Sequence, residues 1–150
     1  MYSGEFELVN LQIYCSQQTF CAILILESKR GLDMYDTVLN DNLIDAVKTE
    51  STYLVRDLMQ EDLVEVVLYG SCARGDYTED SDIDIALLTK SDRLEVKKYD
   101  EKLAAIATEL AMKHFAIVNF VCLPYEEFEE KKTWYPYFRS IATEGEVLYG

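Results

Sequence analysis

The segment that most constrains this chain is Gly70-Ser71-Cys72-Ala73-Arg74-Gly75-Asp76-Tyr77-Thr78-Glu79-Asp80-Ser81-Asp82-Ile83-Asp84, which lies between two short apolar runs. Residues 64–69 are mostly β-branched and aliphatic and end at a glycine, the pattern of a buried strand. Residues 70–81 are polar and contain Gly70 and Gly75, so they read as a loop, or a loop with one helical turn. Residues 82–88 alternate acid and aliphatic and then become wholly apolar, which predicts a second strand. Strand period 2 puts Asp82 and Asp84 on one face and turns Ile83 and Ile85 the other way, into a core.

The same spacing predicts chemistry. At Gly70 the missing side chain permits a tight turn and a close approach of backbone to a ligand. Ser71 then opens a helical turn, whose free N–H groups and hydroxyl suit a phosphate. Two carboxylates side by side on one face repel each other unless a positive charge sits between them. A divalent metal resolves this, and hard oxygen ligands suit Mg²⁺ or Mn²⁺. Phosphate at the Gly-Ser turn and metal on the Asp pair together describe a nucleoside triphosphate site. A Gly-Ser pair or an Asp-x-Asp taken singly fits a solvated loop entering an edge strand. Joined at this spacing between two apolar strands, with Ala73-Arg74-Gly75 between, they point to function.

The rest of the chain supplies a scaffold. Over residues 36–60 the apolar positions Leu39, Leu43, Val47, Leu54 and Leu58, widened by Ile44, Val55 and Met59, predict an amphipathic helix. Ser91 reads as the N-cap of a second such helix running to about Lys113, with the stripe Tyr99, Leu103, Ile106, Ala107, Leu110, Ala111. A third strand over 117–123 is closed by Pro124. A short acidic helix over 125–132 and a last helix over 135–143 follow, and the tail Val147-Leu148-Tyr149 adds a strand edge or packs. The fold class is α+β, an α/β layer: a short mixed β-sheet flanked by helices. Residues 1–33 read differently, with strand-like segments at 6–14 and 20–26 and no visible chemistry. They are taken as an N-terminal extension to a domain spanning 34–150.

A length of 150 residues with 49% hydrophobic and 28% charged residues is that of one ordinary globular domain. The net charge of −14 is less ordinary and counts against a broad basic footprint on duplex nucleic acid or anionic lipid. Residues 1–33 hold four acids and two bases, so the excess belongs to the remainder, and five acids fall within 76–84 with no base among them. That disfavours a long nucleic acid as partner and suits a basic protein. Cys15, Cys21, Cys72 and Cys122 form no C-x-x-C pair, and the single histidine, His114, completes no zinc set. They read as free thiols in a reducing compartment. The longest apolar run, 20–26, is too short to span a bilayer, and no basic n-region precedes it. A cytoplasmic location with no membrane role is expected.

Residues 70–84 resemble the signature of the DNA polymerase β-like nucleotidyltransferases, in particular the small MNT (minimal nucleotidyltransferase) proteins. The resemblance runs from about Leu43 to the end, including the strand at 64–69, the long helix after the Asp-x-Asp strand and the ending Ile141-Ala142-Thr143-Glu144-Gly145-Glu146-Val147-Leu148-Tyr149. It implies the nucleotidyltransferase fold and transfer of a nucleoside monophosphate from an NTP, here AMP from Mg·ATP, to a hydroxyl. It also implies an antitoxin role beside a HEPN-type toxin whose tyrosine is the acceptor. Carried over by motif, Gly70 and Ser71 bind the triphosphate, with Arg74 as a weaker phosphate contact, and Asp82 and Asp84 hold the metal. The resemblance departs at the third carboxylate expected on the strand after the long helix, where Asn119 stands. Asparagine is neutral and cannot act as a base. Three outcomes stay open: a slow enzyme in which metal lowers the acceptor's pKa; substitution by Asp76, Glu79 or Asp80; or binding of nucleotide and partner without transfer. Transfer to a small molecule is a further option, for which a homo-oligomer would have to supply the acceptor site.

Smaller features read as structure. His114 lies on the apolar stripe as a packed or helix-terminal residue. Cys72 reads as a small filler, although a helix N-terminus there would lower its pKa. Glu126, Glu127, Glu129 and Glu130 with Lys131 and Lys132 make a solvated, paired helix face. Trp134, Tyr135, Tyr137 and Phe138 are core or interface aromatics, and exposure of them would mark a partner surface.

Overall fold

The computed structural model describes residues 38–150. The two strand-like segments and the boundary expected at residue 33 lie outside the described residues. Helix α1 (Asp41–Met59) begins at Asn40, whose side chain accepts the Leu43 N–H at 3.1 Å. A 3₁₀ turn (Gln60–Asp62) leads into β1 (Leu63–Tyr69), the turn α2 (Ser71–Arg74) and β2 (Ile83–Thr89). A second 3₁₀ turn (Glu95–Tyr99) precedes α3 (Asp100–His114) and β3 (Val118–Pro124). The chain ends with α4 (Tyr125–Lys131), α5 (Pro136–Glu144) and β4 (Glu146–Tyr149).

The four strands form one mixed sheet in the order β3-β2-β1-β4. β1 runs antiparallel to both β2 and β4, and β2 runs parallel to β3 through the crossover helix α3. The tail is therefore a true edge strand. One face buries Leu68, Ile83, Ile85 and Leu87 against Val47 and Val55 of α1 and Leu110 of α3, all with essentially no exposure. The other packs Val67, Ala86 and Leu88 against Phe128 of α4 and Phe138 and Ile141 of α5. Each fully buried aliphatic or aromatic side chain contributes about 1.5–3 kcal/mol. Ile83 and Ile85 face the first core as their alternation requires.

Two local expectations are corrected. The buried stripe of α1 is centred on Ile44, Val47, Ser51, Val55 and Met59, with Leu43, Leu54 and Leu58 on its flank. Ser51 is tolerated there because its hydroxyl donates to the Lys48 carbonyl at 3.2 Å. The long helix does not start at Ser91. The Ser91 N–H and hydroxyl both donate to the Asp62 carboxylate, at 2.9 and 2.7 Å, which uses up the side chain that would have capped. Asp92 does the capping instead, accepting the N–H groups of Leu94 and Glu95. Tyr99 also donates to Asp62, at 2.8 Å, so this carboxylate ties the connection between β2 and α3 to the start of β1.

Candidate functional site

The register of the sheet builds the site. Asp84 is paired with Tyr69 across β1 and with Asn119 across β3. Asp82 stands just before β2, two residues earlier on the same face. Asn119 lies between the two acids: its amide nitrogen donates to Asp82 Oδ2 and to Asp84 Oδ1, each at 3.1 Å. The sequence-predicted carboxylate pair and the third position are thus brought together. Burial pushes the Asp84 carboxyl above the ordinary range; the Asn119 bond opposes this and the Asp82 charge adds to it. Two half-buried carboxylates bridged by one neutral amide are a set that a hard divalent cation fits.

Gly70 is needed here for a more specific reason than its turn. Its φ is +75°, and a Cβ at this position would stand 2.9 Å from Asp84 Oδ2. The close approach is of backbone to a metal-type ligand of the chain itself. α2 then starts at Ser71, and Arg74 N–H returns to the Gly70 carbonyl at 3.2 Å. Ser71 thus follows directly on the backbone that touches the carboxylate pair.

Arg74 is engaged by two carboxylates. Its guanidinium donates through Nε to Asp76 Oδ2 and through Nη1 to Glu144 Oε2 of α5, both at 3.2 Å, which leaves the Nη2 donors unengaged. Glu144 was invisible as a partner in the sequence, since it lies seventy residues away. Cys72 is buried beneath the turn, with its thiol directed to the Asp82 carbonyl at 3.4 Å. Burial raises its pKa, contrary to the lowering a helix N-terminus would give. Among the described residues no group of three His, Cys, Asp or Glu side chains forms a metal cluster. In this arrangement Asp76, Glu79 and Asp80 do not cluster with Asp82 and Asp84.

The wall beside Asp84 is aromatic. Tyr69 and Tyr137 share a hydrogen bond of 3.0 Å between their hydroxyls, and burial raises the Tyr69 pKa, so it is a neutral phenol. Trp134, Tyr135 and Tyr137 are 63%, 43% and 40% exposed, whereas Phe138 beside them is buried. His114 closes α3 with Nε2 2.8 Å from Glu50 Oε2 of α1, a structural contact.

A Gly-Ser turn abutting a carboxylate pair on one sheet face defines a class of enzyme, and comparison with known proteins agrees. The chain belongs to the nucleotidyltransferase domain family, whose pattern matches residues 53–149. It is 35% identical over 85 residues to a candidate protein adenylyltransferase of Methanocaldococcus jannaschii, covering 57% of this chain and 77% of that protein. A second candidate protein adenylyltransferase of the same organism is 32% identical over 65 residues, covering 43% of this chain and 64% of that one. Among solved structures, a toxin–antitoxin structure with AMP-PNP is 25% identical, covering 69% of this chain and 73% of that one, with a TM-score of 0.47.

Proposed function

We propose that the chain transfers AMP from ATP to a hydroxyl of a protein acceptor, and that it acts as the antitoxin of a HEPN-type toxin. The observation that carries this reading is the apposition of Asp82, Asp84 and the Gly70 backbone at the mouth of α2. Asp82 and Asp84 would hold Mg²⁺ or Mn²⁺, which supplies charge neutralisation to the transferring phosphoryl group. Gly70 and Ser71 would receive the triphosphate. The acceptor oxygen bonds to the α-phosphorus as the bond to the bridging oxygen breaks; pyrophosphate leaves with that electron pair and the hydroxyl proton passes to water. The relatives named for protein adenylyltransfer support a protein acceptor.

The exposed aromatics Trp134, Tyr135 and Tyr137 border the same face of the sheet and supply a surface for that partner. The net charge of −14 makes a basic partner the better fit and a long nucleic acid the poorer one. Among the described residues no helix is long and apolar enough to cross a membrane.

The neutral amide of Asn119 favours one competing reading, that the chain neutralises its partner by binding alone. Incubation of the two proteins with ATP and Mg²⁺, read by intact mass, decides. The expected result is a gain of one or more AMP units on the partner, lost in Asp82→Asn and in Asp84→Asn. A stable complex with no mass gain would leave the binding reading and refute transfer.

A further inference from the structure

A side-chain amide carries two N–H donors on one nitrogen. In Asn119 both are spent on the acids, one on Asp82 and one on Asp84. Asn119 sits directly opposite Asp84 in the parallel β2–β3 pairing, so its backbone is fixed by the sheet and no neighbouring residue can move into its place. No further His, Cys, Asp or Glu joins the pair among the described residues. The nearest loop acid to Arg74, Asp76, is already engaged by that guanidinium at 3.2 Å.

We propose that this chain holds one divalent cation where a three-carboxylate site would hold two, because the neutral amide of Asn119 stands where a third carboxylate would. The proposal rests on the nucleotidyltransferase reading of the site. Two cations about 3.5–4 Å apart repel strongly and need several shared anionic ligands to coexist. Two carboxylates and the triphosphate would serve one cation, and a second, on the acceptor side, would gain from position 119 only a neutral carbonyl dipole in place of a carboxylate. The N–H edge of Asn119 gives each carboxylate a donor. With a cation between the acids that edge is repelled, and rotation of the amide presents its oxygen instead. Asn119 is then a positioning residue: it holds Asp82 and Asp84 converged and sets the number of metals that bind.

The test uses Mn²⁺ with a non-hydrolysable ATP analogue on the full chain, read by electron paramagnetic resonance. The wild type should give the spectrum of an isolated Mn²⁺ at one ion per chain. Asn119→Asp should bind a second ion, show the broadened signal of a coupled pair, and bind Mn²⁺ at least about tenfold more tightly. Asn119→Ala, which removes the bridge but adds no charge, should remain at one isolated ion. A coupled pair in the wild type overturns the proposal while leaving the nucleotide site standing. Absence of any Mn²⁺ binding by the wild type refutes the site reading itself and the proposal with it.

Discussion

Replacing Gly70 by alanine tests whether the phosphate-side turn and the carboxylate pair are a single construction. Gly70 has φ +75° and ψ −155°, a region that only glycine populates readily, and forcing a side chain there costs about 1–3 kcal/mol. The new Cβ would also sit 2.9 Å from Asp84 Oδ2. Asp84 can retreat only by weakening its 3.1 Å bond from Asn119, and a hydrogen bond to a charged group contributes about 1.5–3 kcal/mol. Gly75 supplies the control. It has φ +76° and ψ 14°, and nothing lies within 4 Å of an added Cβ, so Gly75→Ala carries only the left-handed cost of about 1–2 kcal/mol. At roughly 4 °C per kcal/mol for a domain of this size, Gly75→Ala should lower Tm by about 4–8 °C and Gly70→Ala by about twice that. Thermal melts with and without Mn²⁺ and an ATP analogue separate the effects. The ligand-induced rise in Tm should survive in Gly75→Ala and vanish in Gly70→Ala. Equal melting of the two variants with the ligand shift intact in both would show that Asp84 is not held against the Gly70 backbone.

Gly145→Ala should destabilise the domain by about 1–3 kcal/mol in chemical denaturation without altering Mn²⁺ affinity, because the added Cβ would meet the Ile141 carbonyl and stand 2.5 Å from Val67 Cγ1 where β4 joins the sheet. Phe138→Ala should cost about 3–5 kcal/mol, since this side chain is 2% exposed and anchors the core beneath α4 and α5; a loss under 1 kcal/mol would refute that placement. Glu127 is held at about 2 by the Arg93 and Lys131 cations, below its ordinary value of 4.5. A depressed carboxylate contributes stability above its unfolded pKa and loses it as pH falls through the folded one. Arg93 is 66% exposed, so solvent screening leaves about 1 kcal/mol. The stability gap between wild type and Glu127→Gln should accordingly be about that size at neutral pH and close between pH 4.5 and 2.

The strands and the same-face aspartates were readable because period 2 and apolar runs are local properties, and Asn119 could be singled out because its strand was. What the register adds is contact. Only the pairing of Asp84 with Asn119 shows that the amide bridges both acids. The purpose of Gly70 was half legible: its positive φ follows from the turn, but the nearness of Asp84 needs the antiparallel pairing that places residue 84 beside residue 69. Ser91 was misread because a good N-cap residue is also a good ligand for a buried carboxylate, and Asp62 lies twenty-nine residues away. Of the two carboxylates that hold Arg74, Asp76 is local, whereas Glu144 comes from the last helix. In each case the missing information was a partner distant along the chain.

The neutral residue at position 119 also bears on which acceptor the proposed reaction can use. A positioned general base contributes typically 10²–10⁴-fold, about 3–5 kcal/mol, and Asn119 cannot supply it. The deficit must then fall on the acceptor's own acidity or on the cation beside it. A tyrosine phenol ionises near pKa 10, while water, a guide to an aliphatic hydroxyl, ionises at about 15.7. At about 1.4 kcal/mol per unit, the phenol begins roughly 8 kcal/mol closer to its nucleophilic form. That margin exceeds the contribution of the missing base even if only part of it is realised in the transition state. A serine or threonine acceptor would need both the cation and a base, whereas a tyrosine needs the cation and correct placement. In the proposed reaction the exposed Tyr137, hydrogen-bonded to the Tyr69 that pairs with Asp84, would offer a surface for such placement, and a phenol acceptor would make Asn119 tolerable in place of a carboxylate.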